Sequence, residues 1–355
     1  MKKLLVGMFV LGVLAAGAVG GYLWWMDRQI STFAATAHGS GTRTVEIPQG
    51  SGPRAVSNLV AREGVVADAD LFFYYLRRDK LAPKLKAGEY EFDLPLSPAQ
   101  VVEKLAVGQV KQYHFTVPEG LRVDEVLPLV ARGELPLKLE RLQKLAKESA
   151  FLKKAGIPGL EGYLYPDTYS FSRHADEEAV LLKMVSRAKE EFQKADARRR
   201  PGVKLDEREV MTLASIVEKE TGAPQERPRI SCVFHNRLRL GMKLQTDPTV
   251  LYAAMLLRGG TFVKNITRKD LETPHPYNTY TTPGLPPGPI ASPGAAAIQA
   301  ALDPIECNDL FFVSRNDGTH VFCPDLGCHN AAVEQWQRRY FREKRAAERE
   351  GPGPP

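Results

Sequence analysis

The feature that most constrains this chain stands at its start. From Leu4 to Met26 runs "LLVGMFVLGVLAAGAVGGYLWWM", 23 residues without one charged side chain. As a helix that run reaches about 35 Å, enough to cross a hydrocarbon layer of about 30 Å with some tilt. Lys2, Lys3 and the terminal amine precede it, while Asp27 and Arg28 follow and cancel. Excess positive charge stays on the cytoplasmic side, so the N-terminus is expected inside the cell and the remaining chain outside. Trp24 and Trp25 fit the aromatic belt of the membrane interface. The rival is a cleaved export signal, but its apolar core would be shorter. The small-residue site Ala35-Thr36-Ala37 also lies well past the run. A retained single-pass anchor is the reading.

An exported chain oxidises its thiols, and four cysteines are present: Cys232, Cys307, Cys323 and Cys328. Cys323 and Cys328 are close enough to bridge, with Cys307 a second candidate partner. His320 and His329 beside them invite a zinc reading, yet "THVFCPDLGCH" has no standard zinc spacing. One disulfide is the simpler account, and no metal or cofactor is expected. The formal charge is +6 without any block of clustered Lys and Arg. That argues against a nucleic-acid groove and reads first as a basic but ordinary surface, with attraction to lipid head groups or an acidic polymer as the alternative.

Beyond the anchor, "STFAATAHGSGTRT" reads as a small-residue linker. "TVEIPQG" looks like a strand and turn, "RAVSNLVARE" and "LFFYYLRR" like two helices, and "KAGEYEF" like a returning strand. "SPAQVVEKLAVG" follows, with Ser97 as N-cap and Pro98 at the first helical position. This strand–helix–helix–strand unit spans 43–112. "HFTVPEG" then echoes "TVEIPQG" in a V/I-P-x-G pattern, followed by the helical "RVDEVLPLVA". From about residue 137 the pattern is mostly helical, and Asp206 is placed to cap a helix over the following residues. "TPHPYNTYTTPGLPPGPIASPG" (273–294) holds seven prolines, and so long a stiffened loop in a compact domain is usually functional. "DLFFVSRNDGTHVFC" reads as a hairpin around Asn316, Asp317 and Gly318.

The chemistry points to acids. In "MTLASIVEKETG" (211–222), Val210, Met211, Leu213, Ala214, Ile216 and Val217 cover an arc of about 220° on a helix, with Lys219 turned to water. Glu218 and Glu220 fall near the edges of that oily arc, where a carboxylate is costly unless paired, protonated or employed. Spacing alone leaves the two level. Ion pairing with an Arg such as Arg237 is the bland account of Glu220. No nucleophile elbow, zincin, phosphate-loop or dinucleotide motif appears. Tyr, Asn, Gln and Asp side chains on stiff loops suit a sugar polymer, and they gather in "LEGYLYPDTYSF", "HNRLRLGMKLQTDPTVLYA" and the proline-rich loop.

Taken in order, "EGYLYPDTY", "ASIVEKET", "VFHNRLRLGMKLQTDPTV", "YNTYTTPGLPPGPIASPG" and "ALDP…FFVSR…GTHVF…HN" resemble the endolytic murein transglycosylases, the MltG or YceG-like family. The resemblance covers about 44–335. It implies an α+β chain: a single N-terminal transmembrane helix (1–28), a linker (29–42) and a small LysM-like module (43–112). A mixed, mostly helical transglycosylase domain (113–345) and a flexible tail (346–355) complete it. It also implies cleavage of the bond between N-acetylmuramic acid and N-acetylglucosamine inside nascent peptidoglycan strands, leaving 1,6-anhydro ends and ending strand elongation. Penicillin-binding wall synthases are the expected partners. The family's acid maps onto Glu218, and the expected binding residues are Asn236, Gln245, Asp247, Tyr277, Asn278 and Tyr280. Thr246 stands where Ser is usual, and His235 where Tyr is usual. Glu218, protonated in an apolar niche, would give its proton to the leaving oxygen and retrieve one from the sugar's own 6-hydroxyl, so one acid suffices where hydrolases need two. The alternatives are a non-catalytic peptidoglycan-binding scaffold and a hydrolytic muramidase.

Overall fold

The computed structural model describes residues 2–261 and 263–342. The expected tail, 346–355, lies outside them. Helix α1 runs unbroken over Lys2–Ala35, and Val6–Ala35 is long and apolar enough to cross a membrane. Its final turns do something else. Ile30 and Ala34 are buried, with Met26 and Phe33 packed beside them, in the core of the first of two compact units. The expected linker over 29–42 is therefore absent. Its apolar residues at helical spacing continue the helix, and β1 (His38–Ile47) begins three residues after Ala35.

The first unit comprises 1–113 and 170–175. After β1 come α2 (Pro53–Arg62), α3 (Ala69–Arg78), β2 (Gly88–Leu96) and α4 (Pro98–Val107). β1 and β2 are antiparallel, with Val45 opposite Tyr90 and Arg43 opposite Phe92. Alternation along the strands sends Val45, Ile47, Tyr90 and Phe92 inward against Val56, Val60, Phe72, Leu76, Val101 and Leu105. Asp68 caps α3 through the N–H groups of Asp70 and Leu71. Ser97 and Gln100 form the capping box of α4, with Pro98 in its first turn, as the sequence indicates.

The second unit comprises 114–169 and 176–355. β3 (Tyr113–Thr116) pairs with β4 (Thr168–Phe171), and three helices stand between these strands where two stand between β1 and β2. Between them lie α5 (Val123–Ala131), α6 (Leu139–Leu145) and α7 (Ser149–Ala155). α8 (Glu177–Asp196), α9 (Glu207–Glu220), α10 (Arg227–Arg239), α11 (Asp247–Leu257), α12 (Arg268–Glu272) and α13 (Ala295–Leu302) follow. The hairpin of β5 (Phe311–Ser314) and β6 (His320–Cys323) turns at Asn316 and Gly318, both at positive φ, before α14 (Leu326–Val333).

α9 is the central element. Asp206 and Glu209 close its N-terminus as a capping box. Every residue from Val210 to Val217 is buried, not only an arc, because α13 closes its remaining side. α13 reads "AAAIQAAL", and its small side chains let the two helices approach closely. Each large apolar side chain enclosed here, such as Met211 or Ile216, contributes about 1.5–3 kcal/mol. That burial fixes the axis of α9 and hence the position of its last turn.

Candidate active site

The last turn of α9 sends Glu218 and Glu220 into two different surroundings. Glu218 meets three other segments. The Arg227 Nη2, from the first turn of α10, donates to its Oε1 at 2.8 Å. The backbone N–H of Gly294, the N-cap of α13, donates to its Oε2 at 3.0 Å. The turn after β3 brings Glu119, whose Oε2 lies 3.6 Å from the same Nη2. Only 6% of the Glu218 side chain and 9% of that of Arg227 are exposed, while 49% of Glu119 is. Glu218 thus sits in a polar niche, between a guanidinium and a helix start, and not in the apolar niche expected from sequence.

Backbone pairing holds this constellation together. Gly120 N–H donates to the Ser292 carbonyl at 2.9 Å, and Ser292 N–H to the Leu121 carbonyl at 2.8 Å. Gly120 has φ +74, a conformation that favours glycine, and its carbonyl accepts from Lys219 Nζ at 3.0 Å. Ile290 N–H donates to the buried Ser215 hydroxyl of α9 at 3.0 Å. The proline-rich loop is therefore fastened to α9 at two points, Ser215 and Glu218, and to the Glu119 turn at two.

Glu220 faces the other way. It accepts from the Thr246 hydroxyl, and burial pushes its carboxyl up to about 7. The ion pair expected with Arg237 does not form. Arg237 instead donates to the carbonyls of Leu310, Lys243 and Leu244. Glu220, Arg237, Gln245, Asp247, Tyr280 and His329 line a cavity of about 410 Å³. Gln245 holds φ +49, and its N–H donates to the Thr279 carbonyl. Tyr280 donates its hydroxyl to Asp247 at 2.7 Å. A second cavity, of about 180 Å³, is lined by Arg122, Lys219, Pro248, Tyr252, Lys264 and Ile290 among others. Consecutive residues, Lys219 with Glu220 and Pro248 with Asp247, thus line one cavity and the other.

Of the six expected binding residues, Gln245, Asp247 and Tyr280 come together around the larger cavity. Tyr277 packs its ring on Tyr252, with centroids 4.9 Å apart, on the side of the smaller one. Asn278 and Asn236 are spent elsewhere. Asn278 is buried, and its amide donates to the carbonyls of Asp270, Leu271 and Thr273, which staples the start of the proline-rich loop. Asn236 donates to the carbonyls of Cys307 and Asp309 and lines a separate cavity with His235 and Arg200. Each amide satisfies backbone carbonyls that folding brings to it, nearby in sequence for Asn278 and from a distant segment for Asn236. Cys307 pairs with Cys232, and Cys323 with Cys328, so the chain carries two disulfides, one of them through a cysteine the sequence reading left out.

Sequence reasoning missed Glu119, Arg227, Gly294 and Glu161. Glu161 is half-buried, accepts from Val123 N–H and the Tyr252 hydroxyl, and its carboxyl is pushed up to about 7 by desolvation. Glu119 had a visible signal. In the echoed V/I-P-x-G pattern, position x is Gln49 in the first copy and an acid in the second. Arg227 and Gly294 had none, since each acts only through a neighbour brought by tertiary folding.

The family pattern described as YceG-like matches residues 45–335, spanning every residue of this site. This chain belongs to the YceG-like family. Within the family it is 31% identical over 312 residues to a protein of Bacillus subtilis named endolytic murein transglycosylase, covering 83% of this chain and 85% of that one. A Streptococcus pneumoniae protein of the same name is 28% identical over 342 residues, covering 88% of this chain and 61% of its own length. A crystal structure of a YceG-like protein from Listeria monocytogenes superposes with a TM-score of 0.55 at 32% identity. It covers 82% of this chain and 98% of that chain.

Proposed function

We propose that this chain is a membrane-anchored endolytic lytic transglycosylase that cuts the bond between N-acetylmuramic acid and N-acetylglucosamine within peptidoglycan strands. The observation that carries the reading is the seat of Glu218: a buried carboxyl fixed at both oxygens inside a family-matched domain, beside an open carboxyl. In the proposed reaction Glu218 gives its proton to the glycosidic oxygen as the C1–O bond breaks. The 6-hydroxyl of the muramic ring attacks C1, and its proton passes to Glu218. The ring closes as a 1,6-anhydro end, no water is consumed, and the acid is restored. Gln245, Asp247, Tyr277 and Tyr280 are proposed to contact the strand.

A second reading makes Glu220 the acid, because it lines the larger cavity and its carboxyl holds a proton up to about 7. One experiment separates them. Full-length protein in detergent is incubated with purified sacculi, and the muropeptides are resolved by mass spectrometry. Wild type and Glu220→Gln should give anhydro-ended products, and Glu218→Gln none. Equal anhydro products from wild type and Glu218→Gln would overturn the assignment, and loss confined to Glu220→Gln would move it to Glu220. Products one water heavier mark a muramidase, and no cleavage by wild type marks a scaffold.

The strand–helix–helix–strand order of 43–112, with its two strands antiparallel, supports a LysM-like reading of that unit. Positive charge before the apolar helix supports a cytoplasmic N-terminus, with the catalytic domain across the membrane among nascent strands. There it would terminate strand elongation beside penicillin-binding synthases.

A further inference from the structure

Glu218 poses a problem for its own proposed role. A general acid must hold a proton, yet one oxygen of Glu218 accepts from a guanidinium and the other from the N-cap of a helix. The structure contains a counterweight. Arg227 is not locked onto Glu218 in a two-point fork, the geometry that binds most tightly. A single nitrogen, Nη2, faces both acids, at 2.8 Å from Glu218 and 3.6 Å from Glu119, and the buried Nε–H has no partner among the described residues. Gly294 serves both acids as well. Its N–H bonds Glu218, and its bare Cα leaves the space that the Glu119 carboxyl occupies, where a Cβ would collide with it.

We propose that Glu119 is a positioning residue for the proton of Glu218: its negative charge shares Arg227 and so lets Glu218 take up and release a proton despite the ion pair. This rests on the reading of Glu218 as the acid. The pair behaves as a unit in which one charge opposes the other. Consistent with that, burial and the neighbouring Glu218 charge raise the carboxyl of Glu119, against a smaller opposing effect of Arg227.

Few other charges face the pair. On α10 Arg227 faces the pair, while Arg229 is turned to Asp309, His235 to the Ala301 carbonyl, Arg237 to backbone carbonyls and Arg239 to Asn236. α13 carries no titratable side chain. On α11, Asp247 is held by Tyr280 and bears on Glu220. On α9, Lys219 sends its ammonium to the Gly120 carbonyl. Beyond Glu119 its own turn holds Arg122, which pairs with Asp124 and Glu125. The phenol of Tyr165 feels the charge of Glu119.

The test is the pH profile of anhydro-muropeptide release by full-length Glu119→Gln. The active form carries a proton on Glu218, so activity falls on the alkaline side as that proton is lost. Removing the charge of Glu119 leaves Arg227 to Glu218 alone, and the alkaline limb should move to lower pH. Two charges sharing one guanidinium nitrogen at the edge of solvent interact enough to give a shift on the order of one pH unit. Release at pH 8 should therefore fall about tenfold and recover on acidification. Glu119→Asp, which keeps the charge, should restore much of the profile. An unshifted limb in Glu119→Gln overturns the proposal, as does a uniform loss at every pH that Glu119→Asp fails to restore. Should Glu119→Gln not fold, Gly294→Ala delivers the same test by displacing the carboxyl. Activity surviving in Glu218→Gln would instead sink the underlying assignment, a separate result.

Discussion

Gly294→Ala is the substitution that isolates the second carboxyl most cleanly. The backbone there is φ −81, ψ 171, a conformation any residue adopts, so alanine adds no strain. The N–H that holds Glu218 is retained. The atoms nearest the new methyl are Oε1, Cδ and Cγ of Glu119, the far end of a flexible and half-exposed side chain. Glu119 should swing away from Arg227 at little cost. Alanine is a poorer N-cap than glycine but loses less entropy on folding, so the terms nearly cancel, within about 1 kcal/mol. Melting should move by no more than about 4 °C. Activity should behave differently: the alkaline limb moves down on the order of one pH unit, and release at pH 8 drops about tenfold. The assay is the muropeptide digest across pH, with calorimetry on the same samples. The double variant Glu119→Gln/Gly294→Ala adds a sharper demand, because both changes remove one interaction. It should match Glu119→Gln alone and not multiply the losses. Additive losses, or a Gly294→Ala profile identical to wild type, would refute the reasoning.

The two disulfides should differ in weight. Cys232–Cys307 closes a loop with a sequence separation of 75, and Cys323–Cys328 one of 5. Chain-entropy arguments then give losses of about 4 and about 2 kcal/mol for the respective double serine variants, read by denaturant unfolding. Glu161 and Glu220 should make the domain less stable in alkali. Each carboxyl is raised in the fold from 4.5 to about 7, so the protonated form is the one the fold favours. Their contribution is complete below about 4.5 and is lost as pH climbs through 7, by at most about 3 kcal/mol each. Melting temperature should decline between pH 5 and 8, and Glu161→Gln should flatten part of that decline. A flat wild-type curve would rule this out.

Much of the plan was legible in the one-dimensional pattern, because it depends on near neighbours. The apolar run defines a helix long enough to cross a membrane, Ser97 and Asp206 mark helix starts through local capping, and Asn316 to Gly318 set the hairpin turn. Family membership was likewise readable, since it resides in motifs of contiguous residues. The Leu4–Met26 run did not reveal that the helix continues to Ala35, because Ile30 and Ala34 are held by a core assembled from distant strands. Nor could helical periodicity foresee that α13 would cover the remaining side of α9.

What the chain order determined by itself was that two acids sit at the end of a buried helix. Which environment each receives was decided by long-range folding alone. Glu218 and Glu220 are two residues apart, yet residues 119, 227 and 294 converge on the first and residue 246 on the second. A carboxyl's proton affinity follows the charges and donors within a few ångströms, and those arrive from segments that sequence separation cannot bring together.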